Sequence, residues 1–374
     1  MIKVLNVISD TNIGGAGKDV VTYCNNYNKK KIDLVVVLPL NSLLKPQIEQ
    51  TGVRIIEVNG MKDKSLDLLA IPKLLSIFKK EKPDIVHTHA SFSARIAARL
   101  CKNVKIVFTK HCVFPGGKLY SYSFVRKLNG LLNKCFADKI IASAEMAKGF
   151  LVAQGNDEKI IDVVLNGVDK INEIPEEKKA FVRKLYGINE KDIVIGMLAR
   201  IEKLKGHDYF VESARTLIDK GYTNVKFLII GMGSYENEIK AMVKKLDLEK
   251  YIIFTGFVSN VEEILNILDI QVNASYISET TCLSLLEGMS LGIPAVATDC
   301  GGNACVIRTG QNGIIVEKES ADELVKGIMW LLEDKQRLQE IKKEAIYIYE
   351  KEFTSKRYAE GFEKVYESLV NKSE

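Results

Sequence analysis

Short apolar runs rich in β-branched residues alternate with amphipathic segments along most of this 374-residue chain, and the alternation starts twice. The first series reads "IKVLNVI" (2–8), "LVVVL" (34–38), "VRIIEV" (53–58), "DIVHTH" (84–89), "KIVFTKH" (105–111) and "KIIAS" (139–143). The second reads "DIVIGML" (192–198), "VKFLIIG" (225–231), "YIIFTG" (251–256), "DIQVNAS" (269–275) and "PAVAT" (294–298). Helical patterns such as "DLLAIPKLLSIFKKEKP" and "ARIAARLC" lie between the runs. This is the rhythm of a parallel sheet covered by helices on both faces. The fold class expected is α/β, with two tandem doubly wound, Rossmann-like domains. At 47% hydrophobic residues, the chain has enough apolar material for two cores. The expected boundary is "KINEIPEEKKA", Lys170–Ala180, where charge and a proline interrupt the apolar pattern. Beyond about residue 319 the pattern is wholly helical and ends in "FTSKRYAEGFEKVYESLV".

No run of about 18 apolar residues occurs, and "MIKVLNVISD" enters a strand without a signal-peptide pattern, so a soluble, cytoplasmic protein is expected. The seven cysteines form no CxxC pair and no cluster of metal-ligand spacing, which reads as reduced thiols. Charge is divided unevenly. Residues 1–190 hold 30 Lys and Arg against 19 Asp and Glu, whereas residues 191–374 hold 23 against 29. The first half is therefore expected to meet an anionic membrane surface, an anionic acceptor or nucleic acid, unless its lysines are simply solvated. Nucleic acid is set aside, because no zinc-finger, RNP or basic-helix motif is present.

Ligands of doubly wound sheets bind beyond the carboxyl ends of the strands, so the chemistry is sought there and in a cleft between two such domains. After the first strand comes "NIGGAGKDVV" (12–21). It lacks the hydroxyl residue that follows Gly-Lys in a Walker loop, and no acid ends the second strand to hold a dinucleotide's ribose. In "SETTCLSLLEGMSLGIP" (278–294), Leu283, Leu286 and Met289 mark a helix, Thr280 or Thr281 is placed as its cap, and "LGIP" ends it. Glu279 and Glu287 are eight residues apart, roughly 12 Å if the rise is helical throughout. That span suits a nucleoside diphosphate with its phosphates on the helix-start N–H groups, one acid on ribose and the other on a sugar. Taken alone, the pair equally suits a solvated helix face. In "MLARIEKLKGHDYFVESA", Arg200 follows a strand, Lys205 comes five residues later and Gly206 precedes a helix. Two cations so placed are suited to neutralising a diphosphate leaving group.

Taken in order, these segments resemble the GT-B retaining glycosyltransferases of family 4, the glycosyltransferase group 1 type. The resemblance spans nearly the whole chain: "GGAGKDVV", "PDIVHTH", "TKH" at 109–111, "NGVD" at 166–169, "GMLARIEKLKG", "IIGMGSYENEI", "FTGFVSNVEEILNILDIQVNAS", the Glu279 and Glu287 pair, and "GIPAVATDCGGN". It implies an acceptor-binding domain (1–170 plus about 355–374) and a nucleotide-sugar-binding domain (171–354), with the last helix crossing back to the first domain. By position it implies that Arg200 and Lys205 bind the donor diphosphate, Glu287 the ribose and Glu279 the transferred sugar, with Thr280, Thr281 and Leu283 also at the donor. The loop Gly14-Gly15-Ala16-Gly17 would face the donor's phosphates and sugar. His111, directly after a strand, would stand beside the reacting sugar. Two departures bear on this: Lys18 stands where many relatives have an acid, and Thr280-Thr281 replaces a Gly-Phe or Gly-x-Pro. The implied reaction moves a sugar from an NDP-sugar to a hydroxyl acceptor with retention, in cell-surface glycan or glycolipid synthesis. The NDP-sugar is a substrate, no cofactor is implied, and no Asp-x-Asp motif is present to bind a metal.

Of the other histidines, His87 and His89 are expected on opposite faces of a strand, so that at least one of them is structural, and His207 is read as a helix-start residue and not a catalyst. The stretch "GGKLYSYSFVRKLNGLLNKC" (116–135) mixes Lys118, Arg126, Lys127 and Lys134 with Tyr120, Tyr122 and Phe124. An amphipathic basic helix there could touch anionic lipid or guide a lipid-linked acceptor, or could pack on its own domain with its lysines solvated. Three rival readings stay open: a nucleotide-sugar epimerase of the same fold, an inactive partner subunit of a transferase, and a dehydrogenase, the last disfavoured by the missing acid after Leu38.

Overall fold

In a computed structural model of the chain, residues 1–12, 14–111, 118–277 and 279–370 are described. They divide into two compact units, residues 1–167 with 354–374, and residues 168–353. The first contains a seven-stranded parallel sheet of order β3-β2-β1-β4-β5-β6-β7, formed by β1 (Ile2–Ile8), β2 (Ile32–Pro39), β3 (Arg54–Val58), β4 (Ile85–His89), β5 (Lys105–Lys110), β6 (Lys139–Ala142) and β7 (Ile161–Val163). The second contains a six-stranded parallel sheet of order β10-β9-β8-β11-β12-β13, formed by β8 (Ile193–Leu198), β9 (Val225–Ile230), β10 (Ile252–Gly256), β11 (Ile270–Asn273), β12 (Ala295–Thr298) and β13 (Gly313–Val316). The expected α/β class and the two doubly wound sheets are thus present. β7 and β13 are additions to the strands read from sequence.

Successive residues of a strand face opposite sides, and in β1 and β2 both sides are apolar. Val4, Ile8, Leu34, Val36 and Leu38 join one core with Tyr23 of the helix Gly15–Asn26. Leu5, Val7, Val35 and Val37 join the other with Leu74 and Phe78 of the helix Ala70–Glu81. The C-terminal helix Ser355–Val370 closes the first of these cores: Tyr358, Phe362 and Tyr366 pack there, and the Phe362 ring meets Tyr23 edge-on at 5.3 Å. The last helix therefore belongs to the first sheet.

In each sheet the strand order reverses once, between β1 and β4 in the first and between β8 and β11 in the second. Loops at the carboxyl ends on either side of such a reversal diverge and leave a crevice. The glycine loop follows β1, Arg200 follows β8, and Glu279 follows β11. Topology thus puts three of the sequence motifs at the two crevices.

Candidate active site

Glycines let the loops of the second unit approach one another closely. A Cβ on Gly231 would stand 2.2 Å from the Ala199 carbonyl oxygen, and one on Gly233 would stand 2.1 Å from that of Ile201. The loop carrying Arg200 is seated in that gap, tied by N–H bonds from Ala199 to Ile230 (3.1 Å) and from Ile201 to Met232 (3.0 Å). The arrangement recurs at the next loop. Cβ atoms on Gly301 and Gly302 would lie 1.8 and 1.7 Å from the carbonyl oxygens of Glu279 and Thr280, and the Gly302 amide donates to the Glu279 carbonyl at 2.8 Å. The "GMG" and "CGG" stretches are therefore backbone seats for the two functional loops.

Lys205 and Glu279 meet in this site. Lys205 Nζ donates to Glu279 Oε1 at 2.5 Å, with side chains only 17% and 10% exposed. The same oxygen accepts from Ser275 Oγ at 2.7 Å and Asn273 Nδ2 at 3.4 Å. Burial acts to lower the Lys205 pKa, but the Glu279 carboxylate outweighs it with help from Cys282, and the net shift is upward. Arg200, exposed at the end of β8, adds a second positive charge that is felt at Lys205. Gly206, at φ +75, caps the helix His207–Asp219, and a Cβ there would strike the Ala274 carbonyl oxygen at 2.1 Å. His207 is the first residue of that helix and fully buried, and burial followed by the nearby Lys205 charge lowers its pKa to about 4.

The helix after Glu279 differs from the expectation. It runs Leu283–Ser290 with Cys282 as its N-cap, so neither Thr280 nor Thr281 caps it. The buried Cys282 thiol instead accepts from Asn273 Nδ2 at 3.0 Å, and burial, with Glu279 next, pushes its pKa up. Residues 279–282 are not helical, so the estimate of roughly 12 Å from a uniform helical rise does not apply to the Glu279 and Glu287 pair. Leu283 opens the helix and Glu287 lies inside it, half-buried. The first intrahelical bond is Leu285 N–H to the Cys282 carbonyl, so the amides of Leu283 and Ser284 lie ahead of the ladder. The helix ends before Gly292 at φ +73, as "LGIP" implied. Beneath the loop, Asn273 Oδ1 accepts from Asn303 Nδ2 (3.2 Å) and the Ser275 amide (3.0 Å), and the Thr298 hydroxyl donates to the Ser275 carbonyl. Sequence reading singled out none of Asn273, Ser275, Thr298 or Asn303, although polar residues at the end of an otherwise apolar buried strand are a usable signal.

In the first unit Gly14 is the N-cap of the helix Gly15–Asn26, so Gly15 and Ala16 begin its first turn. A Cβ on Gly17 would meet Leu44 Cδ2 at 2.6 Å and the Asn12 carbonyl oxygen at 3.0 Å, so the turn packs closely against its own loop. His111 follows β5 and has both ring nitrogens engaged: Nδ1 lies 3.0 Å from Asp19 Oδ2 and Nε2 lies 2.7 Å from His89 Nδ1. Asp19 was not anticipated as a partner. The expectation that His87 and His89 face opposite ways is overturned: their rings lie 4.4 Å apart on one face, because residues two apart in a strand share a face. His87 bonds Tyr366 Oη at 2.7 Å and Thr109 Oγ1 at 2.6 Å. Burial, with the His111 charge second, lowers its pKa to about 3, and His89 is driven well below the usual histidine range by burial first and its neighbours after.

The anticipated basic helix spans Ser123–Phe136 and has no buried residue. Residues 116 and 117, at the start of that stretch, lie outside the described residues. Among the described residues, no helix is long and apolar enough to cross a membrane.

Comparison with known proteins agrees with this architecture. Residues 176–347 match the family described as glycosyl transferases group 1, and residues 13–170 match Glycosyltransferase Family 4. The chain is 29% identical over 277 residues to the UDP-Gal:alpha-D-GlcNAc-diphosphoundecaprenol alpha-1,3-galactosyltransferase of Escherichia coli, covering 72% of this chain and 71% of that protein. Among solved structures, a glycosyltransferase of Rickettsia africae superposes with a TM-score of 0.86 at 22% identity, covering 99% of this chain and 98% of that one. HepE of Anabaena in complex with UDP superposes with a TM-score of 0.84 at 19% identity, covering 98% and 100%. With two doubly wound sheets of the GT-B kind and consecutive family matches across both units, this chain belongs to the group 1 glycosyltransferases, its first unit being of the family 4 type.

Proposed function

We propose that the chain transfers a sugar from a nucleoside-diphosphate sugar to a hydroxyl acceptor with retention of configuration, without a divalent ion, in cell-surface polysaccharide or glycolipid synthesis. The observation that carries this reading is the Lys205–Glu279 pair at the crevice end of the second sheet, 2.5 Å apart, with Arg200 on the neighbouring loop. The second unit takes the donor: Arg200, Lys205 and the leading amides of the helix Leu283–Ser290 face the diphosphate, Glu287 the ribose and Glu279 the sugar. The E. coli relative named for UDP-Gal and the Anabaena neighbour bound to UDP support a UDP-sugar as the first donor to test. As the sugar C1–O bond to the diphosphate breaks, the acceptor oxygen bonds C1 on the same face and its proton passes to the departing diphosphate. The cations stabilise the charge that develops on that leaving group, which is the role a metal fills elsewhere.

The first unit takes the acceptor, and the helix Ser123–Phe136 brings it to a membrane. Phe124, Leu128, Leu131 and Leu132 are 68, 53, 61 and 44% exposed and follow helical spacing, with Arg126, Lys127 and Lys134 beside them. The test of the reaction is a panel of NDP-sugars offered with hydroxyl acceptors, read by nucleotide release and by the anomeric configuration of the product. Retained configuration and activity unchanged by chelator are expected. An inverted product or chelator-sensitive turnover refutes the scheme, epimerised nucleotide sugar indicates the epimerase, and nucleotide binding without turnover indicates a partner subunit.

A further inference from the structure

A cavity of about 470 Å³ lies wholly within the first unit and is lined by Asp10, Arg95, Lys110, His111, Asn129 and Asn133, among others. Arg95, on the helix Phe92–Arg99, is only 8% exposed, and no carboxylate among the described residues lies within ion-pair distance of it. Its guanidinium carbon sits 4.6 Å from the Phe92 ring centroid and 4.1 Å from that of Phe108. Nη1 donates to Asn133 Oδ1 at 3.0 Å, while the buried Nε–H meets no acceptor. Asn133 is aimed by a chain of amides: its Nδ2 donates to Asn156 Oδ1 at 2.8 Å and to Asn129 Oδ1 at 3.4 Å, and Asn129 donates to the Gln154 carbonyl at 2.9 Å.

Burying a guanidinium without an anion is costly, and the ring contacts return only part of that cost. Burial pulls the Arg95 pKa down to about 10, which leaves it charged at neutral pH. Arginine's planar fork matches a carboxylate or a phosphate, both of which present paired oxygens. Lys110 lines the same cavity, and Asp10, the acid on the lining, is already bonded to the Asn12 amide at 2.9 Å.

We infer that this cavity receives an oxyanion of the acceptor, a phosphate or a carboxylate, held by the Arg95 guanidinium between Phe92 and Phe108. This rests on the transferase reading above and names the acceptor class: a hydroxyl compound that also carries an anionic group. His111 lines the same cavity, so the anion is bound within reach of the residue that the family resemblance sets beside the transferred sugar. The helix Ser123–Phe136 contributes Asn129 and Asn133 to the cavity and exposes Phe124 and Leu128. A lipid-linked phosphate and a small carboxylate acceptor share the required chemistry, and the test distinguishes them.

The full chain, saturated with UDP so that the donor site is filled, is titrated calorimetrically with inorganic pyrophosphate and, separately, with succinate. Binding of either supports the inference; pyrophosphate alone indicates a phosphate-bearing acceptor, and succinate alone a carboxylate-bearing one. Arg95→Gln is expected to weaken that binding about ten- to a hundredfold, the usual loss for a charge-assisted pair, with UDP affinity unchanged. Asn133→Asp supplies an internal carboxylate to Arg95 and should abolish anion binding; it also gives up the amide's donations to Asn156 and Asn129, so its fold is checked by circular dichroism and by unchanged UDP affinity. Absence of anion binding in the wild type, or wild-type anion affinity in both variants, would overturn the inference. UDP affinity and donor turnover are read on the same protein preparations before UDP is added, so failure of the transferase reading shows as loss of those signals in the wild type.

Discussion

Lys205 and Glu279, 74 residues apart in sequence, form a 2.5 Å ion pair that is largely shielded from water. Two residues with separate expected roles, one for the diphosphate and one for the sugar, are thus a single unit before any donor arrives. Breaking a buried pair leaves an uncompensated charge and costs on the order of 3 kcal/mol, so Lys205→Ala and Glu279→Ala should each destabilise the second unit, but the double variant should not show the sum. A double-mutant cycle by urea denaturation, followed at Trp330 in that unit, should give a coupling of about 1–3 kcal/mol. Additive losses would mean the pair is a surface contact.

Arg200 and Lys205 are expected to matter most as the diphosphate leaves. Alanine at either position should lower turnover on the order of a hundred- to a thousandfold, with a smaller effect on donor affinity. Steady-state kinetics beside UDP titration separates these, and an equal loss in both would reassign the cations to ground-state binding.

Glu287 lies within the helix whose first amides are assigned to the phosphates. If its carboxylate accepts from ribose hydroxyls, Glu287→Ala should weaken UDP binding about ten- to a hundredfold, or roughly 1.5–3 kcal/mol. Comparing UDP with deoxy-UDP sharpens the assignment: the variant should lose the preference for the ribose hydroxyls. A preserved preference sinks it.

How much of this could be read from sequence depended on the range of the contacts. The long strands declared themselves through runs such as "LVVVL", because burial on both faces leaves no room for polar residues. β7, three residues long, was too short to stand out beside "LNGVD", and β13, no shorter than β6, β11 or β12, was hidden by the turn residues of "RTGQNG" that lead into it. The cap at Thr280 or Thr281 followed from hydroxyl preference. The backbone of that loop is instead seated on Gly301 and Gly302, which moves the helix start to Cys282. Asp19 stands 92 residues from His111, and Asn133 stands 38 from Arg95. No local periodicity reports such pairings. Arg95 did carry a local signal, a charge among buried alanines on "SARIAAR", and that signal went unused.

His111 is held by Asp19 on one nitrogen and His89 on the other, so a sugar hydroxyl must displace one of these partners or meet the His111 main chain. That favours a positioning role over an obligatory base. His111→Ala should slow transfer and leave UDP affinity near wild type, and His111→Asn should recover part of the rate. A base would instead impose an ionisation on the pH–rate profile that an amide cannot replace. A dead Asn variant together with a lost titration would restore the base.

The same histidine cluster makes the first unit acid-sensitive. His87 has a folded pKa near 3 and an unfolded value near 6.5, set by burial first and the His111 charge second, with Tyr366 and Thr109 against its ring. Between those two values the unfolded chain binds the extra proton. Stability is therefore fully present above about pH 6.5 and is lost as pH falls toward 3. At pH 5 the loss from His87 alone is about 2 kcal/mol, being 1.36 kcal/mol for each unit below 6.5. His89, shifted the same way, adds to it. Trp330, the sole tryptophan, lies in the other unit, so the measurement must look at β4 itself. Amide hydrogen exchange of residues 85–89 reports it, since those strand bonds open only when the core opens. Between pH 7.5 and pH 5, after correction for intrinsic exchange, wild-type protection should fall by at least thirtyfold, the factor equivalent to about 2 kcal/mol. His87→Gln keeps hydrogen-bonding groups for Tyr366 and Thr109 but cannot take the proton, so its protection should fall by correspondingly less. Parallel declines in the two proteins would show that His87 is not what the acid opens.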